Sequence, residues 1–135
     1  MPKPSARYRE GMQTRRKVLG DAHVDTANAS ITPFTQDFQT LITEAAWGNL
    51  WSRETISLRE RSMLTIALLA AFGHDEELAM HVRATKNTGA SLDDIKEALL
   101  HVAIYAGVPA ANHAFKIAAT AHAAMTTPVK ETNHA

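Results

Sequence analysis

Apolar residues recur at three- and four-residue spacing along most of the chain, as they do on one face of an α-helix. A clear example is the set Phe34, Phe38, Leu41, Ile42 and Ala45. No segment alternates apolar and polar residues for long, and no Asn-Gly or Asp-Gly hairpin signal occurs. The pattern predicts an all-α fold.

Start and stop signals divide this pattern into about six helices. The glycines expected to end helices are Gly20, Gly73 and Gly89. Ser57–Glu60 has the spacing of a capping box, and Ser91–Asp94 is a second helix start. We expect Pro33 and Pro109 at the first positions of two further helices, because proline suits that position.

Two segments carry stronger expectations. Residues 47–51 (WGNLW) hold two tryptophans around a glycine, and they predict a break after the preceding helix. The two indoles there are expected to be a packing plug more often than a binding platform. Residues 63–73 are apolar all round and too short to span a bilayer, so they predict a helix in the middle of the domain.

Length and composition narrow the function classes. A chain of 135 residues predicts one domain over residues 1–135, with flexible tails at 1–6 and 126–135. Fourteen basic residues balance fourteen acidic ones, so nothing suggests a nucleic-acid partner. The first residues lack the apolar run of a signal peptide, and there is no cysteine, which together predict a cytoplasmic protein without membrane, disulfide or thiolate chemistry.

His81 is the most informative of the seven histidines. It shares a helical stripe with Leu78, Val82 and Thr85, so it should point inward. One interpretation is a core histidine satisfied by a hydrogen bond. The other is a proton donor or acceptor near neutral pH.

Glu60 also has two interpretations. At the third helical position of a capping box, a glutamate commonly bonds back to the chain. At the start of an apolar helix, the same carboxylate could orient a histidine. The two roles are compatible.

Several side chains could bind an anion. His101 and Tyr105 lie four residues apart on one helix face, where Tyr105 could stabilise an oxyanion or the two could simply be half-buried. Arg61 and Arg83 are candidates because arginine forms a fork that matches a carboxylate. No HxxxH or HExxH motif is present, so we expect no metal site.

Three runs of sequence resemble the carboxymuconolactone decarboxylase family. The longest reads LRERSMLTIALLAAFGHDEELAMHVRATKNTGASLDDIKEALLHVAIYAGVPAANHAF. Two upstream runs agree with it in order and spacing: YREGMQTRRKVLGDAHVD and WGNLWSRETISLRERS. The resemblance extends from Tyr8 to about His122.

The resemblance implies a fold, an assembly and a site. The fold is an AhpD-like helical bundle, and the assembly is a homo-oligomer, usually a hexameric ring. The redox branch of this superfamily carries a CxxC where this chain reads FGHDEE at residues 72–77, so its peroxidase chemistry is excluded here. The histidine of that constellation corresponds to His81 and the glutamate to Glu60.

The implied reaction converts gamma-carboxymuconolactone to 3-oxoadipate enol-lactone and carbon dioxide in the β-ketoadipate pathway. It needs no cofactor, because the small anionic lactone accepts its own electrons as a dienolate. His81 would return the proton to carbon, and Glu60 would assist it. The substrate-binding candidates would then be Arg83, Arg61, His101 and Tyr105.

Two alternatives remain open from sequence. The same fold could be a non-catalytic helical oligomer or binding module, since fold does not determine function. A related decarboxylase could also act on another lactone. Whichever lactone the enzyme decarboxylates, a neighbouring subunit could complete its site, for example through Arg15 or Arg16.

Overall fold

A computed structural model describes residues 3–126, and every regular element within them is a helix. The order is α1 (Ala6–Leu19), α2 (Asp21–Ala29), α3 (Gln36–Ile42), a π-helix (Thr43–Trp51), α4 (Leu58–Phe72), α5 (Asp75–Thr88), α6 (Leu92–Tyr105) and α7 (Val108–Thr126). No strand occurs in this part of the chain, so the all-α prediction is confirmed. Seven α-helices and one π-helix occur within the described residues, where about six helices were expected.

Most residues of the two predicted tails are not described by the structure. Residues 1, 2 and 127–135 lie outside the described residues. At the amino-terminal end, the Ser5 hydroxyl accepts a hydrogen bond from the Tyr8 amide at 2.9 Å and so caps α1. Ser5, which lies within the predicted tail, is thus hydrogen-bonded to the first turn of α1.

Within the described residues, the helices group into two compact units. The N-terminal unit comprises residues 3–61 and 87–89, and the C-terminal unit comprises residues 62–86 and 90–126. The prediction of one domain over residues 1–135 stays a prediction.

In the N-terminal unit, α1 packs closely on the π-helix at two glycines. A Cβ atom at Gly11 would clash with the Thr43 carbonyl oxygen and would lie 2.8 Å from the Gly48 nitrogen. A Cβ atom at Gly48 would lie 2.6 Å from the Arg7 carbonyl oxygen. The two backbones can approach this closely because both positions lack a side chain.

The prediction that residues 47–51 break a helix is wrong. The chain stays helical there but widens into a π-helix that ends at Trp51. The Ser52 hydroxyl donates to the Trp47 carbonyl oxygen at 2.7 Å, which satisfies one backbone acceptor of the last turn. Trp47 and Trp51 are buried with ring centroids 5.2 Å apart, so their expected packing role is confirmed.

The sequence predicts that Pro33 opens a helix, and this prediction is wrong. Residues 33–35 form a turn, and α3 begins three residues later at Gln36. The Thr32 amide donates to the Thr35 hydroxyl at 2.9 Å, and the Thr35 amide donates to the Thr32 carbonyl oxygen at 3.0 Å. These local bonds compete with the helical ones and delay the helix start.

The core of the C-terminal unit is built from aliphatic side chains of α4, α5 and α6 against alanines of α7. Its buried residues are Ile66, Ala70, Leu78, Val82, Ile95, Leu99, Val102, Ala111, Ala114, Ala118 and Ala121. Ile95 and Leu99 of α6, four residues apart on one helix face, are 2% and 0% exposed. The small side chains of α7 let that helix approach its neighbours closely.

The apolar helix α4 is not buried all round, contrary to the prediction from its composition. Ile66 is fully buried, whereas Leu64, Leu68 and Phe72 are 57%, 57% and 71% exposed. These three residues are four apart and form one stripe of the helix. The composition of this helix is apolar on every face. It does not show that, within a single chain, only some of those faces are covered by other helices.

Candidate functional site

His81 lies on the inward face of α5, as its spacing predicts. The side chain is 7% exposed, and its stripe neighbours Leu78, Val82 and Thr85 are at most 3% exposed. The Thr85 hydroxyl donates to the Val82 carbonyl oxygen at 2.6 Å, so this polar neighbour is satisfied within α5. The imidazole therefore lies on the buried face of α5.

Glu60 forms the capping box that its position predicts. The Ser57 amide and hydroxyl donate to the same carboxylate oxygen at 2.8 and 2.9 Å, and the Glu60 amide donates to the Ser57 hydroxyl at 3.1 Å. These bonds, above all the one from the Ser57 backbone, lower the pKa of the exposed Glu60 carboxyl below its ordinary value. Glu60 is therefore an ionised cap at neutral pH.

Arg61 is a buried cation in the N-terminal unit, only 7% exposed. One terminal nitrogen donates to the Arg53 carbonyl oxygen at 3.1 Å, and Nε is buried without a hydrogen-bond partner in the described chain. Within residues 3–126, Arg61 takes part in no ion pair. A buried guanidinium without an acidic partner favours a bound anion, because an uncompensated charge is costly to bury.

A cavity of about 330 Å³ adjoins these residues within the N-terminal unit. Its lining includes Ser57, the partner of Glu60, and Arg53, the partner of Arg61. Lys17 and Thr14 also line it. Its volume is in the range of small-molecule sites, and its side chains include cations and hydroxyl groups suited to an anion.

Arg83 follows His81 by two residues and is exposed. Two helical positions correspond to a rotation of about 160° the short way round, so Arg83 points away from the face that carries His81. It lines a groove between α5 and α7 instead. The structure therefore does not bring Arg83 and His81 together on one face.

His101 and Tyr105 do share one face of α6, as their spacing predicts. Their rings are stacked, with centroids 6.4 Å apart and planes 17° apart. The Tyr105 side chain is 87% exposed, and both residues border a shallow depression of about 190 Å³. The pair lies on the surface of the C-terminal unit, on a different helix from His81.

The placement of two charged or titratable side chains was not evident from sequence. Arg15 is buried in the N-terminal unit at 6% exposure, although it sits among two other basic residues that suggest a solvated helix end. His113 points to the surface rather than the interior, and its Nε2 lies 2.8 Å from the Asp75 carboxylate. Helical periodicity around Gly11, Arg15 and Val18, all buried, is the one signal that would have indicated the burial of Arg15.

Among residues 3–126, no three His, Asp or Glu side chains are placed to hold a metal ion. Over the same range, none of the helices combines the length and apolar character needed to cross a bilayer.

The chain is similar to proteins of known activity over most of its length. It is 45% identical over 112 residues to a 4-carboxymuconolactone decarboxylase from Acinetobacter baylyi, a match covering 83% of this chain and 84% of that protein. A nitrosuccinic acid decarboxylase from Metarhizium robertsii is 41% identical over 102 residues, covering 76% and 71%. A 4-carboxymuconolactone decarboxylase from Pseudomonas putida is 51% identical over 43 residues, covering 32% and 90%.

The family assignment agrees with these relatives. Residues 36–120 match the model of the Carboxymuconolactone decarboxylase family. That range begins with α3 and includes Glu60, Arg61 and His81. The sequence match and the all-helical architecture together show that this chain belongs to the carboxymuconolactone decarboxylase family.

Proposed function

We propose that this decarboxylase acts on gamma-carboxymuconolactone and releases carbon dioxide to leave 3-oxoadipate enol-lactone. The observation that carries the proposal is the 45% identity to a 4-carboxymuconolactone decarboxylase over more than four fifths of both chains. The reaction would belong to protocatechuate breakdown in the β-ketoadipate pathway. A cytoplasmic location stays a prediction of the sequence.

The chemistry requires little of the protein beyond binding, electrostatics and one proton. The electrons left by the departing carboxylate spread into the unsaturated lactone as a dienolate, so the substrate is its own electron acceptor. The protein has to bind a dianion, stabilise the growing oxyanion and return a proton to carbon. A decarboxylation of this kind involves no net oxidation or reduction.

We assign the proton transfer to His81. Its buried position supports this role, because a side chain with little exposure to water has fewer orientations open to it. Positioned acid–base catalysis contributes about a hundred- to ten-thousand-fold to a rate.

Arg61 is the preferred residue for a substrate carboxylate, since its buried guanidinium has a nitrogen without a partner in the described chain. Glu60 is proposed to act as a positioning residue alongside its observed cap. Arg83, His101 and Tyr105 stay predictions as substrate ligands. They border two other depressions, and His81 lines neither of them. The cavity of the N-terminal unit, lined by Lys17 and Arg53, carries cationic groups that would suit an anionic ligand.

The decisive experiment compares His81→Leu with the wild-type protein on freshly prepared carboxymuconolactone. Leucine fills the buried position without a proton to transfer, so we expect a folded variant whose rate falls by at least about a hundredfold. His74→Ala is the matched control, because His74 is exposed just before the same helix. Normal turnover by a folded His81→Leu variant would show that His81 is only a core residue.

A second candidate substrate is nitrosuccinic acid, favoured by the 41% identity to a decarboxylase named for it. Assaying both acids with the same preparation separates the two. Turnover of carboxymuconolactone no faster than its spontaneous decay, together with turnover of nitrosuccinic acid, would replace the first proposal with the second. Turnover of neither acid would favour the non-catalytic alternative.

We further propose that the protein is a homo-oligomer, with a hexamer as the form that the family resemblance suggests. The C-terminal unit exposes many large apolar side chains to water: Leu64, Leu68, Phe72, Leu92, Leu100, Ile104, Tyr105 and Val108. Leu64, Leu68 and Phe72 form one exposed apolar stripe, and exposed apolar patches mark interaction sites in soluble proteins. Copies of the chain are the simplest occupants, because the surface lies on the helices that build the unit's own core.

A further inference from the structure

The groove between α5 and α7 of the C-terminal unit has a volume of about 420 Å³. One wall is a single stripe of α7 that includes His113, Lys116, Ile117 and Thr120. The opposite wall comes from Ala79 and Arg83 of α5, and further alanines of α7 complete the lining. Small and apolar side chains thus form a trough with polar and cationic groups on its walls.

The two permanent cations of this groove lack acidic partners. Within residues 3–126, neither Arg83 nor Lys116 takes part in an ion pair. The carboxylate of Asp75 lies 2.8 Å from His113 and is thereby engaged with a third member of the groove. The groove therefore presents uncompensated positive charge to a ligand.

The mixture of groups indicates the class of ligand. Arginine presents a planar fork that fits a carboxylate, and lysine supplies a second positive charge on a flexible stem. The Thr120 hydroxyl can donate a further hydrogen bond. The alanine and isoleucine side chains favour an aliphatic body over an inorganic ion, because they gain free energy by leaving water.

This groove is separate from the face that carries His81. Arg83 and His81 point to nearly opposite sides of α5, and His81 does not line the groove. The side chain of Val82, between them, is fully buried in the core. A ligand in the groove would therefore not contact the imidazole proposed for proton transfer.

We propose that the α5–α7 groove is a second binding site, specific for a small aliphatic dicarboxylate. Arg83 binds one carboxylate, Lys116 the other, and Ile117 with the neighbouring alanines contacts the methylene chain. The site is a binding site rather than a catalytic one, and it does not depend on the identity of the substrate turned over elsewhere in the protein.

Adipate is the probe for this proposal, because it joins two carboxylates by an apolar chain. Isothermal titration calorimetry would compare the wild-type protein with the double variant Arg83→Gln/Lys116→Gln and with Lys86→Gln. Lys86 is an exposed cation of the same helix α5 that does not line the groove. We expect Kd to rise at least about tenfold in the double variant, equivalent to about 1.4 kcal/mol, and to change less than about twofold in Lys86→Gln.

Two further measurements locate and define the site. On adding adipate, the backbone amide resonances of Thr120 and Ala124 should shift, and those of the double variant should not. Dimethyl adipate, which lacks the charges, and inorganic phosphate, which lacks the apolar chain, should each bind at least about tenfold more weakly than adipate.

Three results would overturn the proposal. Unchanged adipate affinity in a folded double variant would place the ligand elsewhere, including at the site of decarboxylation. Equal weakening in Lys86→Gln would reduce the effect to general surface charge. Phosphate binding as tight as adipate binding would remove the role of the apolar trough. Each result is independent of whether the protein decarboxylates either candidate acid.

Discussion

At the residue scale, two adjacent arginines of α1 lie in opposite electrostatic environments. Burial lowers the pKa of Arg15, and the positive charge of the neighbouring Arg16 lowers it further. Hydrogen bonds from Arg16 to Asp21 and Asp25, at 3.0 and 2.9 Å, raise the pKa of Arg16. A lowered pKa in a cationic group means that the fold disfavours its charge, and a raised pKa means the reverse.

We therefore expect Arg15→Met to raise the free energy of unfolding by about 1 kcal/mol, the lower end of the gain seen when buried charges are replaced by apolar side chains. The only partners of Arg15 in the described chain are Gln39 and Thr43, both at 3.5 Å, so little hydrogen bonding is lost. Urea denaturation at neutral pH measures the change.

Arg16→Met is the matched control, one residue away and with the same change of side chain. It should lower the stability, because it removes two ion pairs. Destabilisation by Arg15→Met as large as that by Arg16→Met would mean that the buried charge is compensated in solution, and a partner subunit or a bound anion would then have to supply the compensation.

The same scale shows what single positions reveal in sequence. The stripe of Leu78, His81 and Val82 is regular, so the inward direction of His81 could be predicted. The role of Glu60 in a capping box could also be predicted, because the box is a local interaction over four residues. The burial of Arg15 was not predicted, because a basic helix end is usually solvated, although Arg15 shares a stripe with the buried Gly11 and Val18.

At the scale of elements, the contact between α1 and the π-helix depends on Gly11. Alanine in a helix is ordinarily more favourable than glycine by roughly 0.5–1 kcal/mol. At Gly11 a Cβ atom would meet backbone atoms of Thr43 and Gly48, which move only if the two helices separate. Packing should therefore outweigh helix propensity at this position.

We expect Gly11→Ala to lower the free energy of unfolding by about 1–3 kcal/mol, the usual cost of overpacking. Thermal and urea denaturation followed by circular dichroism would measure it. Gln13→Ala, at an exposed position of the same helix, should have little effect. A Gly11→Ala variant as stable as the wild type would show that the two helices can separate at little cost.

The π-helix could not be predicted from the pattern of apolar and polar residues. Such helices are rare and short, and their composition resembles that of ordinary helices. The Trp-Gly-Asn-Leu-Trp segment looked like a break because glycine weakens a helix. Here Gly48 is retained inside a helix, since α1 occupies the space that a side chain would need.

At the scale of the whole molecule, the exposed apolar surface is the main feature that a single chain leaves unexplained. The stripe of Leu64, Leu68 and Phe72 faces water although its helix is strongly apolar. Each fully buried leucine side chain contributes about 2 kcal/mol, so covering this stripe would stabilise an assembly appreciably.

We expect Leu68→Glu to weaken subunit association by at least about tenfold, because it places a charge in an apolar contact. Sedimentation velocity over a range of protein concentrations would show the shift to smaller species. Lys86→Glu, a charge change at an exposed polar position of the same unit, should leave the distribution unchanged. A wild-type protein that stays monomeric at every concentration would contradict the proposed homo-oligomer.

The sequence by itself determined the helices that rest on local interactions, the inward direction of His81, the cap at Glu60 and the family. These depend on residues within a few positions of one another or on a near full-length similarity. Only the tertiary structure decided the π-helix and the burial of Arg61. Each of these depends on which helix covers which side chain, and periodicity within one helix carries no information about its neighbours.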